Sequence, residues 1–440
     1  MSQSQQKVSG YAWYVVLLCM LAYIFSFIDR QILALLIEPI REDLQISDTQ
    51  FSLLNGLAFS LFYASMGIPI ARLADSRSRP AIIAIGIFLW SLATAATGLG
   101  KTFWQIFAAR MGVGVGEAAL SPAAYSMIAD LFPKEKLGRA LAVYSIGSFI
   151  GGGLAFLIGG AVISAIGDMQ SIAVPVLGDL RPWQITFMIV GLPGILLALI
   201  FFLTVKDPTR FSGGHQIKRA SFAETLKFIR RNGKFFFALY GGFTLTAIAL
   251  FGLLSWLPAF LGRNYGLTPG EIGLILGPIM LVANVGGVLC SGWLTDYFEK
   301  KGRKDAAMRA GMIGSLGLVI PVALFSIMPN QTLSIVFITI SLFFASFPLA
   351  TSATAMQLAS PPHMRAQVSA IFLFLNSIIG LAIGSFVIAI ITDYVFQSDQ
   401  AVGWSVSIVC SISTLLSGVL IARGLQPFRE ILAKREKELS

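Results

Sequence analysis

Residues 12–37 read AWYVVLLCMLAYIFSFIDRQILALLI, and only two of these side chains, Asp29 and Arg30, are charged. A helix needs about 20 apolar residues to cross the hydrocarbon core of a bilayer, and this run is longer than that. The whole chain has the same character, since 56% of its 440 residues are hydrophobic and 12% are charged. Soluble domains carry about 25% charged residues on average. We therefore predict a helical membrane protein and exclude soluble, disordered, collagen-like and disulfide-stabilised chains.

Apolar runs of this kind recur along the chain, and twelve of them are long enough to span a bilayer. They lie near residues 12–37, 50–71, 80–99, 102–128, 138–166, 183–205, 234–262, 269–294, 307–328, 332–356, 366–392 and 402–423. The longest hydrophilic interval separates the sixth run from the seventh. This pattern predicts an all-α membrane protein with twelve transmembrane helices in two six-helix bundles.

The same pattern predicts four domains along the chain. An N-terminal bundle takes residues 1–205 and a cytoplasmic linker takes 206–233. A C-terminal bundle takes 234–423 and a cytoplasmic tail takes 424–440. Within the linker, apolar residues recur at helical spacing among basic ones, which is typical of an interfacial helix.

Basic residues predict the orientation of the chain. If the N-terminus is cytoplasmic, nearly all Lys and Arg residues of the loops fall on the inside. Those on the outside are Arg41, Lys101, Arg181 and Arg263. Cytoplasmic loops are enriched in positive charge, so both termini are predicted to be cytoplasmic. The net charge of +10 thus belongs to loops, and no nucleic-acid partner is expected. We expect a monomer surrounded by membrane lipids in a cell membrane.

An internal repeat relates the two halves of the chain. Ser47–Gln50 opens the second run as a capping box, and Thr268–Glu271 opens the eighth run in the same way. Asp75 and Asp296 are related by the same offset. Repeats of this kind occur in secondary transporters, which expose a substrate site alternately to the two sides of the membrane.

Two related loops carry the first family resemblance. Residues 71–79 read ARLADSRSR, and their counterpart combines GWLTD at 292–296 with GRK at 302–304. These loops resemble the signature of the major facilitator superfamily, although Ala71, Ser76 and Ser78 depart from it. The resemblance implies the major facilitator fold and a cytoplasmic gate. The gate residues are Asp75, Arg77, Arg79, Arg139, Asp296, Arg303 and Arg365.

Three further motifs narrow the resemblance. Residues 27–30 read FIDR, residues 110–118 read RMGVGVGEA, and residues 128–132 read IADLF. Within the superfamily these motifs are similar to those of the Spinster family of lipid transporters. Because so few residues lie outside the membrane, the chain resembles a bacterial member of that family, which implies the bacterial inner membrane. Anion transporters of the sialin type also carry Asp-Arg in the first span, so a soluble anion stays open as substrate.

Four ionisable residues lie inside predicted spans: Asp29, Arg30, Arg110 and Glu117. Such residues cost about 2.5–3.5 kcal/mol each on the insertion scale and are candidates for function. Burial favours a protonated carboxyl group and a nearby guanidinium favours the ionised one, so Asp29 and Glu117 are predicted to couple transport to protons. Arg30 and Arg110 suit an anionic head group or a switching role. The alternative is a static salt-bridge network that ties the first span to the fourth.

Uncharged polar residues within the spans are predicted to line the cavity, although plain helix packing is an alternative for each. They are Tyr23, Ser26, Ser121, Tyr240, Thr244, Asn284 and Asn376.

Together these features predict a secondary active transporter. We expect proton-coupled movement of an anionic amphiphilic lipid, either a lysophospholipid or a sphingosine-phosphate-like lipid, by alternating access. The alternatives are a transporter of a soluble organic anion, a drug-efflux antiporter and a non-transporting sensor. We find no nucleophile–base pair and no ATP motif, so neither an enzyme nor a cofactor is expected. His215 and His363 lie far apart, and no metal site is predicted.

Overall fold

The computed structural model describes residues 9–167, 169–175, 178–208 and 221–439. The helices that precede the central linker are α1 (Gly10–Leu35), α2 (Ile37–Leu44), α3 (Asp48–Ser52), α4 (Ala58–Ser76), α5 (Arg79–Thr97), α6 (Phe103–Glu117), α7 (Leu120–Leu131), α8 (Lys134–Ile166) and α9 (Pro182–Thr204). A short antiparallel hairpin, β1 (Ile172–Val174) and β2 (Gly178–Leu180), lies between α8 and α9.

The remaining helices are α10 (Phe222–Arg231), α11 (Gly233–Tyr265), α12 (Pro269–Ile279), α13 (Val285–Lys300), α14 (Ala306–Leu324), α15 (Gln331–Ala345), α16 (Phe347–Ala359), α17 (Arg365–Leu375), α18 (Gly384–Ile390) and α19 (Val402–Leu439). Several of them join through wider π-helical turns at Leu53–Leu57, Met280–Asn284, Asn376–Ile383 and Ile391–Phe396. Two 3₁₀ turns lie at Phe325–Ile327 and Asp399–Ala401.

Eleven helices in the described part of the chain are long and apolar enough to cross a bilayer. The run predicted at 102–128 is not among these eleven, because it forms two helices of only 15 and 12 residues. The first, α6, ends at Glu117 and the second, α7, starts at Leu120. The Ala119 amide donates to the Gly116 carbonyl, which tightens the chain at the break. The total of twelve spans therefore stays a prediction.

The helices pack as two units. The N unit comprises Met1–Gly213 together with Leu267–Pro278, and the C unit comprises Gly214–Gly266 together with Ile279–Ser440. Most of α12 therefore packs with the N unit, although the predicted domain boundaries place it in the C-terminal bundle.

Close packing of α8 on α1 organises the N unit. A Cβ atom at Gly151 of α8 would lie 2.5 Å from the carbonyl oxygen of Ile24 on α1. Small residues allow this approach, as expected for helices that associate in a membrane. Both capping boxes predicted from the repeat are formed. Gln50 and Ser47 exchange hydrogen bonds, and so do Glu271 and Thr268.

Hydroxyl groups join three helices inside the C unit. Thr246 of α11, Ser315 of α14 and Ser417 of α19 are fully buried. The Thr246 hydroxyl lies 2.7 Å from both serine hydroxyls, and Ser417 donates to the Gly242 carbonyl at 2.6 Å. Interhelical hydrogen bonds of this kind help membrane helices to associate, because the hydrophobic effect between helices is weak in lipid.

The segment predicted as a tail after residue 423 continues the helix, since α19 runs on to Leu439. Phe428 on this extension is fully buried and stacks on Phe235 of α11, with ring centroids 5.2 Å apart. Asp305 is also buried, and it forms ion pairs with two arginines. Its Oδ2 lies 2.9 Å from Arg309 Nη2 and 3.4 Å from Arg429 Nε. The end of α19 is therefore part of the C-unit core. The hydropathy pattern placed the end of this helix near residue 423, which is too early.

The linker contains the helix α10, which begins with a capping box between Ser221 and Glu224. Phe228 and Ile229 pack against the same C-unit core cluster that holds Phe428. Phe222 is largely exposed at the start of the helix.

Replacement of Phe235 by Ala should destabilise the protein by about 3–5 kcal/mol, because it leaves a cavity beside Phe428. Phe237→Ala on the same helix is the matched control, since Phe237 is 69% exposed. Thermal unfolding of the purified proteins in detergent measures the difference. Equal melting temperatures for the two variants would contradict the packing of α19 on α11.

Candidate functional site

The N unit contains a buried ion pair between α1 and α6. The Arg30 Nε donates to Glu117 Oε2 at 2.5 Å. The Ser26 hydroxyl donates to the same oxygen at 2.8 Å and accepts from Arg30 Nη2 at 3.2 Å. Ser26 and Arg30 are four residues apart on α1, so they lie on one helical face and converge on one carboxylate. The Glu117 side chain is completely buried, whereas that of Arg30 is 19% exposed.

The local sequence of α6 explains how Glu117 reaches this position. A Cβ atom at Gly114 would lie 2.5 Å from the carbonyl oxygen of Phe59, so glycine lets α6 approach α4 closely. Glu117 is the last residue of α6, one turn further on. Its carboxylate is therefore held where α1, α4 and α6 meet.

Three aromatic rings surround the Arg30 guanidinium. Its Cζ lies 4.6 Å from the ring centroid of Phe59, 4.8 Å from that of Tyr63 and 5.0 Å from that of Phe27. A cation over aromatic faces gains about 0.5–2 kcal/mol per contact, more when it is desolvated. Phe27 belongs to the FIDR motif, whereas nothing in the sequence distinguishes Phe59 and Tyr63 from other aromatic residues of the spans.

The side chain of Arg110 contacts the main chain of Asp29, not its carboxylate. The Arg110 Nη1 donates to the backbone carbonyl of Asp29 at 3.1 Å. Both residues are 1% exposed. In the described part of the chain, Asp29 Oδ1, Arg110 Nε and Glu117 Oε1 have no hydrogen-bond partner. Buried polar atoms without partners are costly, and they mark places where a proton, a water molecule or a ligand group would be stabilised.

A layer of tyrosines lies beside the ion pair. Tyr23 of α1 stacks on Tyr144 of α8 with centroids 4.8 Å apart and ring planes 9° from parallel. The Tyr144 hydroxyl lies 2.9 Å from the Ser121 hydroxyl, and Tyr125 meets Tyr144 edge-on. The structure thus links the predicted residues Tyr23 and Ser121 through Tyr144, which the sequence analysis did not single out.

The remaining predicted cavity residues belong to the C unit. Tyr240 is 8% exposed, and its hydroxyl donates to the Val368 carbonyl at 3.0 Å. Asn284 accepts a hydrogen bond from Ser346 at 2.9 Å. Thr244 is buried and Asn376 is half-buried. Tyr240 therefore serves the packing of its own unit with both ring and hydroxyl.

Among the predicted gate residues, Arg79 is the most completely bound. It is 1% exposed. Its Nε donates to Asp207 at 2.8 Å, its Nη1 donates to Asp130 at 2.5 Å and to Ser126 at 2.9 Å, and its Nη2 donates to the Pro208 carbonyl at 2.8 Å. Arg79 therefore anchors the end of α7 and the start of the linker to the start of α5.

The other predicted gate residues are less constrained. Arg77, Arg139, Asp296 and Arg303 are exposed. The Arg365 Nε donates to the Ser360 carbonyl at 3.3 Å. The side chain of Asp75 lies outside the described residues, and so does His215, which the sequence analysis rejected as a metal ligand.

Comparison with known proteins agrees with this fold. The family model of the Major Facilitator Superfamily matches residues 19–385. An MFS-type efflux pump of Mycolicibacterium smegmatis is 27% identical over 412 residues, which cover 93% of this chain and 91% of the relative. The sphingosine-1-phosphate transporter SPNS2 of Xenopus tropicalis is 24% identical over 441 residues, covering 94% and 82%. A crystal structure of a bacterial homologue of the human lysosomal transporter Spinster has a TM-score of 0.80 at 27% identity, covering 97% of this chain and 98% of that one.

The chain belongs to the Major Facilitator Superfamily. Spinster proteins are among its relatives, which confirms the resemblance drawn from the motifs. It is a multi-pass membrane transporter of this superfamily.

Arg79→Gln should lower the free energy of unfolding by about 1–3 kcal/mol, because Asp130 and Asp207 lose a charged partner while both remain partly solvated. The exposed Arg139→Gln removes the same charge and is the control. Chemical or thermal unfolding in detergent measures the loss. If the Arg79→Gln and Arg139→Gln variants melt at the same temperature, the contacts of Arg79 with Asp130 and Asp207 contribute nothing to stability.

Proposed function

We propose that the protein couples the movement of protons to transport of an anionic amphiphilic lipid by alternating access. We also propose that it acts as a monomer whose two six-helix bundles cross the membrane twelve times, with α6 and α7 together forming the fourth span. Both termini are then cytoplasmic. The observation that carries the proposal is the buried pair of Arg30 and Glu117, which joins a proton acceptor to a cation that suits an anionic head group.

The geometry of the pair supports this coupling. An ionised Glu117 holds Arg30 through a charge-assisted hydrogen bond, which is stronger than a neutral one. Protonation of Glu117 removes the negative charge and weakens that bond. The three rings around Arg30 still stabilise the cation, so it remains charged and in place to bind an anion. Binding of the anion and binding of the proton therefore favour each other.

A lipid substrate is supported by two observations. Arg30 sits among aromatic rings, which provide apolar surface beside a group that recognises phosphate through planar hydrogen bonding. A relative over nearly the whole chain is named as a sphingosine-1-phosphate transporter.

A soluble or drug-like substrate is the second candidate, and other relatives favour it. The M. smegmatis relative is an efflux pump. A probable L-galactonate transporter of Escherichia coli is 27% identical over 373 residues, covering 81% of this chain and 78% of the relative. Since galactonate is a soluble organic anion, Arg30 would suit its carboxylate as well as a phosphate.

Glu117→Gln should remove the response of transport to a pH gradient, because the amide has nearly the same shape but does not titrate. The assay follows uptake of a fluorescent lysophospholipid into proteoliposomes with and without an imposed pH gradient. Glu299→Gln, which changes an exposed residue of α13, controls for loss of a glutamate and should respond like the parent. Uptake that ignores the gradient in the parent, or a Glu117→Gln variant that still follows it, would contradict proton coupling at this residue.

Arg30→Lys should weaken recognition of the head group, since an ammonium group lacks the planar fork of the guanidinium. We expect KM for the lysophospholipid to rise about tenfold, which corresponds to roughly 1.4 kcal/mol of lost binding. Arg231→Lys, on the exposed face of α10, should leave KM unchanged.

The same vesicles separate the two substrate classes. Excess galactonate should neither compete with the lysophospholipid nor be accumulated itself. Accumulation of galactonate together with indifference to the lipid would favour the soluble-anion candidate.

A further inference from the structure

Ser26 of α1 is a buried serine that bonds both members of the ion pair. It is 1% exposed. Its hydroxyl donates to Glu117 Oε2 at 2.8 Å and accepts from Arg30 Nη2 at 3.2 Å. A helical serine commonly turns its hydroxyl to a carbonyl of its own helix, as Ser341 does towards Phe337. A hydroxyl has one proton to donate, and Ser26 uses it on another helix.

The Arg30 guanidinium binds through its Nε and Nη2 groups, but the two acceptors belong to different residues. In the usual fork, two parallel N–H groups bond both oxygens of one carboxylate. Here Nε donates to Glu117 Oε2 at 2.5 Å, and Nη2 donates to the Ser26 hydroxyl at 3.2 Å. The serine hydroxyl therefore takes the place of the second carboxylate oxygen.

This arrangement gives the two oxygens of Glu117 different surroundings. Oε2 accepts hydrogen bonds from Arg30 and from Ser26. Oε1 is buried and has no hydrogen-bond partner in the described part of the chain. A proton on Oε2 would compete with two donors, whereas a proton on Oε1 leaves both hydrogen bonds formed.

We infer that Ser26 is a positioning residue that keeps Glu117 Oε1 free for the coupling proton. This inference rests on the proposed proton coupling and assigns the proton to one oxygen. Without the hydroxyl, the Glu117 carboxylate can rotate, because the terminal torsion of glutamate is soft. Oε1 then accepts from Arg30 Nη2, and protonation has to break one bond of a complete fork. Ser26 therefore lets the carboxylate take up a proton while Arg30 stays attached.

The other ionisable groups at this junction are the same in the parent and in Ser26 variants. Asp29 lies on α1, and Arg110 of α6 donates to its main-chain carbonyl. Tyr63 of α4 lies against the guanidinium with its ring centroid 4.8 Å from Cζ. Tyr23 precedes Ser26 by three residues on α1, and tyrosines are neutral below about pH 10. A change in titration on replacement of Ser26 therefore reports the hydroxyl.

The test is an infrared titration of the full-length protein in phosphatidylcholine vesicles, which needs no transported substrate. The carbonyl band of a protonated carboxyl group that is lost in Glu117→Gln identifies Glu117. With the proton on Oε1, the carbonyl oxygen is Oε2, which accepts from two donors. Ser26→Ala removes one of these donors and should move the band to higher frequency.

Ser26→Ala should also lower the titration midpoint of this band. The ionised carboxylate loses a bond from a neutral hydroxyl and gains one from the Arg30 guanidinium, and a bond between two charged groups is the stronger. Stabilisation of the ionised form moves protonation to lower pH, here by about 0.5–1 pH unit.

Ser52→Ala is the matched control, because Ser52 is also 1% exposed and its hydroxyl donates to the Thr49 carbonyl at 2.7 Å. It should leave the band and its midpoint as in the parent. Ser26→Thr retains the hydroxyl and should restore both. If Ser26→Ala folds poorly, Ser26→Cys should shift the band and the midpoint in the same directions, since a thiol is a weak donor and acceptor.

A Ser26→Ala band with the frequency and midpoint of the parent overturns the inference, and so does a midpoint that moves to higher pH. A parent in which no band belongs to Glu117 between about pH 4 and pH 10 also overturns it, because Oε1 then carries no proton. The proposed function fails in a different way, when Glu117 titrates as expected but lysophospholipid uptake ignores an imposed pH gradient.

Discussion

The ion pair between Arg30 and Glu117 is the interaction on which the N-unit site depends. A guanidinium and a carboxylate are each costly to remove from water, and each reduces the cost of burying the other. The aromatic rings against Arg30 provide stabilisation that does not depend on the charge of Glu117. Arg30 is therefore stabilised from two sides, by a carboxylate and by aromatic rings.

The two halves of the chain interrupt corresponding spans in similar ways. The fourth predicted run breaks after Glu117, and the tenth breaks at Ser346, between α15 and α16. In the N unit the residue before the break belongs to an ion pair, whereas in the C unit Ser346 bonds the neutral Asn284. At these two corresponding breaks, a charged side chain therefore occupies the N unit and a neutral one the C unit.

Much of the site follows from the sequence, because a charge inside an apolar run stands out. Asp29, Arg30, Arg110 and Glu117 were identified in this way, and all four are buried or nearly so in the N unit. The partners around them were not identified. Phe59 and Tyr63 lie in an apolar run where aromatic residues are ordinary. Asp207 follows the sixth run as one more charge near a membrane surface. Their roles depend on contacts between helices that are distant in the sequence.

The sequence by itself determined the class of the protein, because a bilayer requires long apolar helices and sorts the charges of short loops between its two sides. It also identified the four ionisable residues that lie inside predicted spans. Only the tertiary structure decided which of them pair. Asp29 and Arg30 are adjacent, yet Arg30 pairs with the Glu117 carboxylate while the backbone carbonyl of Asp29 accepts a hydrogen bond from Arg110. Consecutive side chains on a helix point about 100° apart, so the packing of α1 against its neighbours selects a different partner for each.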